Sequence, residues 1–233
     1  MALKNKAVLI SIKPKWCKKI ANLRKTVEIR KTAPNLEVPF KCYIYCTKAP
    51  KKLITIFRDG EESYDGEIYH GKTKFITWDG IGVPDDIDSA MQMVIGEFVC
   101  DKIDRLAHVG AMGSNEPAKL YIETPDLQYE YADELLQAAC LSETDVEGYL
   151  KGGDGFGWHI SDLKIYDKPK PLSSFFRYGF SGMNGTNVCG NDTCEHYRPS
   201  GSYMLPPTCA VNGCYLSKPP QSWCYVAENE ENV

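Results

Sequence analysis

A chain of 233 residues with 43% apolar and 25% charged content can bury a sizeable core, as one large domain or as one domain with appendages. No apolar run approaches the roughly 20 residues of a bilayer-spanning helix, and no small-residue cleavage site follows the short apolar run near the start, so a cytoplasmic protein with no membrane partner is expected. The net charge of −4 hides an asymmetry: residues 1–58 carry 15 Lys+Arg against 2 Asp+Glu, and residues 59–233 carry 12 against 29. The basic lobe is either a footprint for phosphate-bearing partners or the solvated outer faces of short elements, and the acidic remainder argues against a large nucleic-acid wrapper.

In chain order, "AVLISI" (7–12) reads as a buried strand by its nearly continuous apolar run. "PKWCKKIAN" (14–22) predicts a short helix with Pro14 in its first turn and Trp16 and Ile20 one turn apart. "KTVEIRK" (25–31) alternates Val27 and Ile29 with Thr26, Glu28 and Arg30, the period of a half-buried strand with one core face and one polar face. "KCYIYC" (41–46) has strong β propensity, and "GEIYHGKTKFITW" (66–78) predicts a hairpin turning at His70-Gly71. "QMVIGEFVCDKI" (92–103) predicts one long strand, 129–140 and 143–151 two helices, and "GFGWHISDLKIYD" (155–167) another strand. Ser142 and Asp145 have the spacing of a capping box at the start of the second helix. Residues 182–222 show no sustained period, and "WCYVA" (223–227) reads as a last strand before an acidic tail. Several strands joined by few helices predict a mixed, partly closed β-barrel and exclude a doubly wound parallel sheet, whose crossovers are mostly missing.

These motifs, in this order, resemble the ASCH family, a branch of the PUA-like β-barrels. That family has a strand, a short helix with a tryptophan, and a G-x-K-x-x-E-x-R strand. Lys25, Glu28 and Arg30 fill the Lys, Glu and Arg places, and Leu23 stands where glycine is usual. "VIGEFVCDKI" (94–103) and "GWHISDLKIYDKPKPLSSF" (157–175) match later barrel strands, and "KPPQSWCYV" (218–226) is similar to the endings of phage and prophage members. The resemblance implies an α+β fold: a PUA-like mixed β-barrel over 1–181, with short flanking helices and insertions near 58–90 and 110–153. A Cys-rich segment follows at 182–222, then the final strand and tail at 223–233. It also implies RNA or nucleotide binding; separately, a monomer is expected. Some bacterial members cut RNA, and one small branch hydrolyses the amide of N4-acetylcytidine with a Lys, a Thr and a Glu. The Thr of that branch occupies the place of Glu28, so only Lys25 carries over from that triad.

The candidate ligand-binding residues are Lys13, Trp16, Lys25, Thr26, Glu28 and Arg30; Lys25 and Glu28 would be catalytic in an enzyme. Arg30 offers a planar fork and Lys25 a point charge to a phosphate. Glu28 could accept from a base amino group or orient Lys25, and a dry pocket beside Arg30 would make Lys25 a base. The plain alternative is a solvated strand face carrying an ordinary Glu–Arg pair. On either account Glu28 lies opposite Val27 and Ile29, so removing its charge is expected to leave the core undisturbed. Trp16 could stack on a base or plug the barrel end beside Ile20. His159 is a candidate acid or base, or a structural histidine, and His70 belongs to the surface.

Two functions of different class follow: a binding module for RNA or a nucleotide, and a hydrolase acting on RNA or on a modified nucleoside through the same cleft. A third is a phage accessory protein that binds a host protein. Cys17, Cys42, Cys46, Cys100 and Cys140 sit among apolar neighbours and read as small buried hydrophobes. Cys189, Cys194, Cys209 and Cys214 give C-x4-C-x14-C-x4-C, a spacing within the range of a structural zinc site with four thiolates. His196 and Cys224 are substitute ligands, and reduced free thiols in a loop are the alternative. A long irregular span needs an organiser, which favours zinc.

Overall fold

Both faces of the first strand are covered, which is why its sequence is apolar almost throughout. In the computed structural model, which describes residues 5–49, 52–57, 74–78, 90–109, 119–178, 197–205, 207–209 and 216–228, that strand is β1 (Lys6–Ile12). Val8, Ile10 and Ile12 enter one core, while Ala7 and Leu9 enter another on the far side. Helix α1 (Pro14–Ala21) starts on Pro14 and buries Pro14, Cys17, Ile20 and Ala21. The chain then forms β2 (Val27–Arg30) and returns as β3 (Phe40–Cys46), parallel to β1 with Val8 opposite Cys42. A parallel neighbour requires such a crossover, here made by α1 and β2 together.

Strands β4 (Lys52–Phe57) and β5 (Lys74–Trp78) pair antiparallel. The expected turn at His70-Gly71 lies outside the described residues; β5, its second arm, pairs with β4.

The expected single strand over 92–103 is two, β6 (Met93–Cys100) and β7 (Ile103–Val109), broken at Asp101-Lys102. The break exists because β6 pairs with β3 while β7 joins a different sheet. β8 (Lys119–Glu123) and β9 (Tyr129–Tyr131) extend that second sheet. Hence the expected helix over 129–140 starts late, as α2 (Asp133–Ala139), because Tyr129 and Tyr131 alternate around Glu130 and pair with β8 instead. Helix α3 (Glu143–Leu150) begins with the expected capping box: the Asp145 N–H donates to Ser142 Oγ (3.1 Å) and the Ser142 N–H to Asp145 Oδ2 (3.0 Å).

The expected strand 155–167 is likewise two, β10 (Gly155–His159) and β11 (Ser161–Pro171), which belong to different sheets. The short pair β12 (Tyr197–Arg198) and β13 (Thr208–Cys209) precedes β14 (Trp223–Ala227), which lies antiparallel to β1.

Two five-stranded sheets result, ordered β11-β6-β3-β1-β14 and β2-β10-β7-β8-β9. Every pairing within them except β1–β3 is antiparallel. Among the described residues the sheets remain separate and do not close into one barrel. They share a core of Val8, Ile10, Phe98 and Trp158, with Ile103 and Phe156 packed against it. The other face of the second sheet, through Val27, Ile29 and Leu106, is covered by Leu135, Leu136 and Val146 of the two C-terminal helices. Among the described residues no helix is long and apolar enough to cross a membrane.

Candidate functional site, a charged row between two sheets

Strand β2 sends alternate side chains to opposite sides, and both sides are buried. Val27 and Ile29 pack against α2 and α3. Glu28 and Arg30 point instead between the sheets and are each only 7% exposed. The polar face is therefore no solvated surface. Nor does it include Thr26, which precedes the strand, escapes its alternation and is exposed. Thr26 contributes backbone alone: its N–H donates to the Ala138 carbonyl (2.9 Å), and its carbonyl accepts from the Ile160 N–H (2.8 Å).

Lys25 is aimed by the end of α1. Leu23 takes the left-handed conformation (φ 58), and its N–H donates to the Ile20 carbonyl at 2.9 Å. The Arg24 N–H reaches back to the Lys19 carbonyl at 2.8 Å, completing a Schellman turn with leucine where glycine is preferred. The reversal drives Lys25 inward until it is 2% exposed. Its Nζ donates to the carbonyl of Ala139, the last residue of α2, at 2.7 Å, and lies 3.3 Å from Glu28 Oε2. An ammonium at a helix C-terminus meets the negative end of its dipole. Burial lowers the basicity of Lys25 and the Glu28 carboxylate partly restores it.

Arg30 closes the row. Its Nη2 lies 3.0 Å from Glu28 Oε1 and donates to the Ser11 carbonyl at 2.7 Å, while Nη1 donates weakly to Ser222 Oγ at 3.5 Å. One carboxylate thus serves two cations, and the buried row carries a net charge of +1. The guanidinium Nε–H has no partner among the described residues. The same holds for the indole N–H of Trp158, which is fully buried on the strand next to β2 and directly opposite Glu28. Because Glu28 balances the Lys25 and Arg30 charges inside the protein, the expectation that its neutralisation leaves the core undisturbed is reversed: loss of that charge would strand two buried cations.

Trp16 is half-buried above Lys25, and three ammonium groups surround its ring: Lys15 at 4.2 Å, Lys19 at 5.2 Å and Lys25 at 5.2 Å from the centroid. Lys13 is exposed at the start of the same helix. The structure therefore brings together Trp16, Lys25, Glu28 and Arg30, leaves Lys13 at the exposed start of α1, and turns Thr26 outward. The residues that complete the row, Ser11, Ala139, Trp158 and Ser222, carry no local sequence signal except the "GWHI" strand around Trp158.

His159 lies outside this row. Its Nε2 is 2.6 Å from Asp104 Oδ2, and Lys102 Nζ is 2.9 Å from the other carboxylate oxygen. Burial pushes the Asp104 carboxyl upward, but its bonds to His159 and Lys102 outweigh that and hold it below the usual range. Cys17, Cys42, Cys46 and Cys100 are buried as expected, and Cys140 is half-buried. Burial pushes the Cys100 thiol up to about 12. Of the four cysteines expected to hold zinc, Cys189, Cys194 and Cys214 lie outside the described residues, and Cys209 is described by its backbone in β13 alone.

No family model matches this chain, and no curated protein does. Among solved structures it is similar to an ASCH protein from Zymomonas mobilis, at 17% identity over 71% of this chain and 73% of that one, with a TM-score of 0.39. It is also similar to a tyrosine-to-phenylalanine mutant of that protein, at 16% identity over 72% and 77% of the two chains with a TM-score of 0.39. The likeness is distant.

Proposed function

We propose that the chain is an ASCH-type RNA- or nucleotide-binding protein that meets its ligand at Trp16, Lys15 and Lys19, with the buried row of Lys25, Glu28 and Arg30 supplying positive potential beneath them. One observation carries the reading: a buried row with net positive charge sits under an aromatic ring hemmed by three ammonium groups. Like charges gathered around one indole repel one another, and a phosphate-bearing ligand relieves that repulsion. The first turn of α1 supports the same reading. It holds Lys15 and no acid, against the preference of the helix dipole, as a helix selected for anion contact would. The motif resemblance adds the expectation of RNA.

The test is binding of a single-stranded RNA 12-mer across a salt series. Counterion release predicts affinity falling steeply between low and physiological salt, and Lys15→Glu with Lys19→Glu should reduce the salt slope by about the number of phosphates they contact. An affinity indifferent to salt would remove the proposal.

Turnover is a second reading. It draws on Lys25, whose lowered basicity 3.3 Å from Glu28 suits proton transfer during hydrolysis of RNA or of a modified nucleoside. Mass spectrometry of products after incubation with RNA decides between the two. A zinc ion held by Cys189, Cys194, Cys209 and Cys214 remains part of the proposal as an organiser of the Cys-rich segment, with about one zinc per chain by elemental analysis as the expected result.

A further inference from the structure

We infer that Cys17, Cys46 and Met91 form a binding site for a soft monovalent metal ion, copper(I), set in the core where α1, β3 and the chain entering β6 meet. The inference is independent of the RNA reading and of a zinc ion in the Cys-rich segment.

Three elements bring the three sulfurs together. Cys46 ends β3 directly opposite Ile12 of the parallel strand β1, and both side chains enter the same core. The Ile12 carbonyl accepts from the Thr47 N–H at 2.9 Å and from the Cys17 thiol at 3.5 Å, which draws α1 against the end of β3. There the Cys17 and Cys46 thiols are in hydrogen-bond contact with each other. The Gln92 N–H donates to the Cys46 carbonyl at 2.8 Å and keeps the neighbouring Met91 alongside, so that Met91 Sδ lies 4.0 Å from Cys46 Sγ. Any small apolar groups would fill this part of the core. Here sulfur meets sulfur twice.

The spacing suits a metal. An ion bonded in one plane to three sulfurs at about 2.3 Å holds them about 4 Å apart, which is the separation of Cys46 and Met91. The ligand types choose the ion. Zinc takes thiolates, imidazoles and carboxylates, whereas two thiolates with a thioether suit copper(I). On binding, both S–H bonds break, two copper–sulfur bonds form, the thioether adds a lone pair, and the two protons pass to water. The copper is neither oxidised nor reduced. The loaded centre carries a charge of −1, and the buried row of Lys25, Glu28 and Arg30 carries +1. Glu28 and Arg30 both lie close enough to Cys17 to act on its charge, so the two buried charges compensate. Cys17 and Cys46 are fully buried and Met91 is half-buried, so the thioether is the ligand that an incoming ion meets first.

The experiment is an oxygen-free titration of the full chain with copper(I), added as its acetonitrile complex and followed by carbon NMR. The chain is isotope-labelled at the Cβ of its 10 cysteines and the methyl carbon of its 6 methionines, so each ligand reports separately from the Cys-rich segment. Met91→Leu identifies the Met91 methyl signal, and Cys17→Ser and Cys46→Ser identify the two Cβ signals. All three signals should move together and saturate with one ion. Met91→Leu should weaken the event seen at Cys17 and Cys46 by about tenfold or more, since even a group that only supports a metal ligand is worth that much. Cys46→Ser should abolish the shift at Met91. If the cysteine variants do not fold, the Met91 signal in the wild type and the affinity of Met91→Leu, read at the Cβ signals that move in step with Met91, still decide. Copper taken up by other cysteines with Met91 unmoved overturns the inference. So does zinc, added alone, moving the three signals as copper(I) does.

Discussion

Glu28 holds two cations with one carboxylate, and both are nearly inaccessible to water. Glu28→Gln removes the shared counter-charge and leaves Lys25 and Arg30 buried together. Breaking a buried pair in this way costs about 3–5 kcal/mol, and urea denaturation of the variant should read a loss of that order. Replacing Lys25, Glu28 and Arg30 together by apolar residues of similar length should recover most of it, since no charge is then stranded. A loss under 1 kcal/mol for Glu28→Gln would mean that water reaches the row. Asp104 supplies the pH-dependent counterpart. Its carboxyl is held below the usual range in the folded chain, so its bonds stabilise the fold above the unfolded value of about 3.9 and are lost as pH falls through the lower folded value. Asp104→Asn should cost about 1–3 kcal/mol at pH 7, and wild type and variant should converge in acid below the ordinary carboxylate range. A difference that persists in strong acid would place the effect in packing.

At the scale of elements, the turn after α1 does two jobs: it ends the helix and aims Lys25. It does so with a leucine at φ 58 whose side chain stays largely exposed. Leu23→Gly removes the left-handed penalty at the cost of extra freedom in the unfolded chain, so stability should rise by about 0.5–1 kcal/mol. Thermal unfolding checks this, and a fall in Tm would show that the Leu23 side chain makes a contact worth more than the strain. The resemblance placed a departure at this position, and the backbone supplies its physical content. Other features were legible to different degrees. Strand β1, helix α1, strand β3 and the capping box of α3 stood out because each is specified by neighbours within a few residues. The sheet changes did not. The run 155–167 stays apolar through Ile160, and in 92–103 the charged Asp101-Lys102 is too short an interruption to separate a strand break from a polar edge, so pattern alone cannot register that the hydrogen-bonding partner has changed. In the site, the spacing of Lys25, Glu28 and Arg30 was readable, but alternation predicted a surface. Whether a polar strand face is wet or covered depends on a second sheet that no local pattern reveals.

At the scale of the whole molecule, the charged row is roofed by chain that is very distant in sequence. Ser11 Oγ donates to the Pro220 carbonyl at 2.7 Å, the Ser11 N–H donates to the Ser222 carbonyl at 2.8 Å, and the Trp223 indole N–H donates to Thr32 Oγ1 at 3.0 Å. Arg30 and Ser222 are separated by 192 positions. This arrangement has a kinetic meaning. Contacts across so long a loop cost closure entropy before they return any stabilisation, and they form after nearer ones. Strands β1 and β3, joined through α1, can come together early, whereas the roof over Arg30 waits for the docking of β14. Ser222→Ala should therefore accelerate unfolding while leaving the refolding rate nearly unchanged, and Ile44→Val in β3 should slow refolding. Stopped-flow chevrons on the two variants measure this directly, and a Ser222 variant that refolds slowly would put β14 in the nucleus. During refolding the chain should pass through a period when its two sheets are largely formed but Arg30 is still hydrated, so the capacity to bind should return later than secondary structure does.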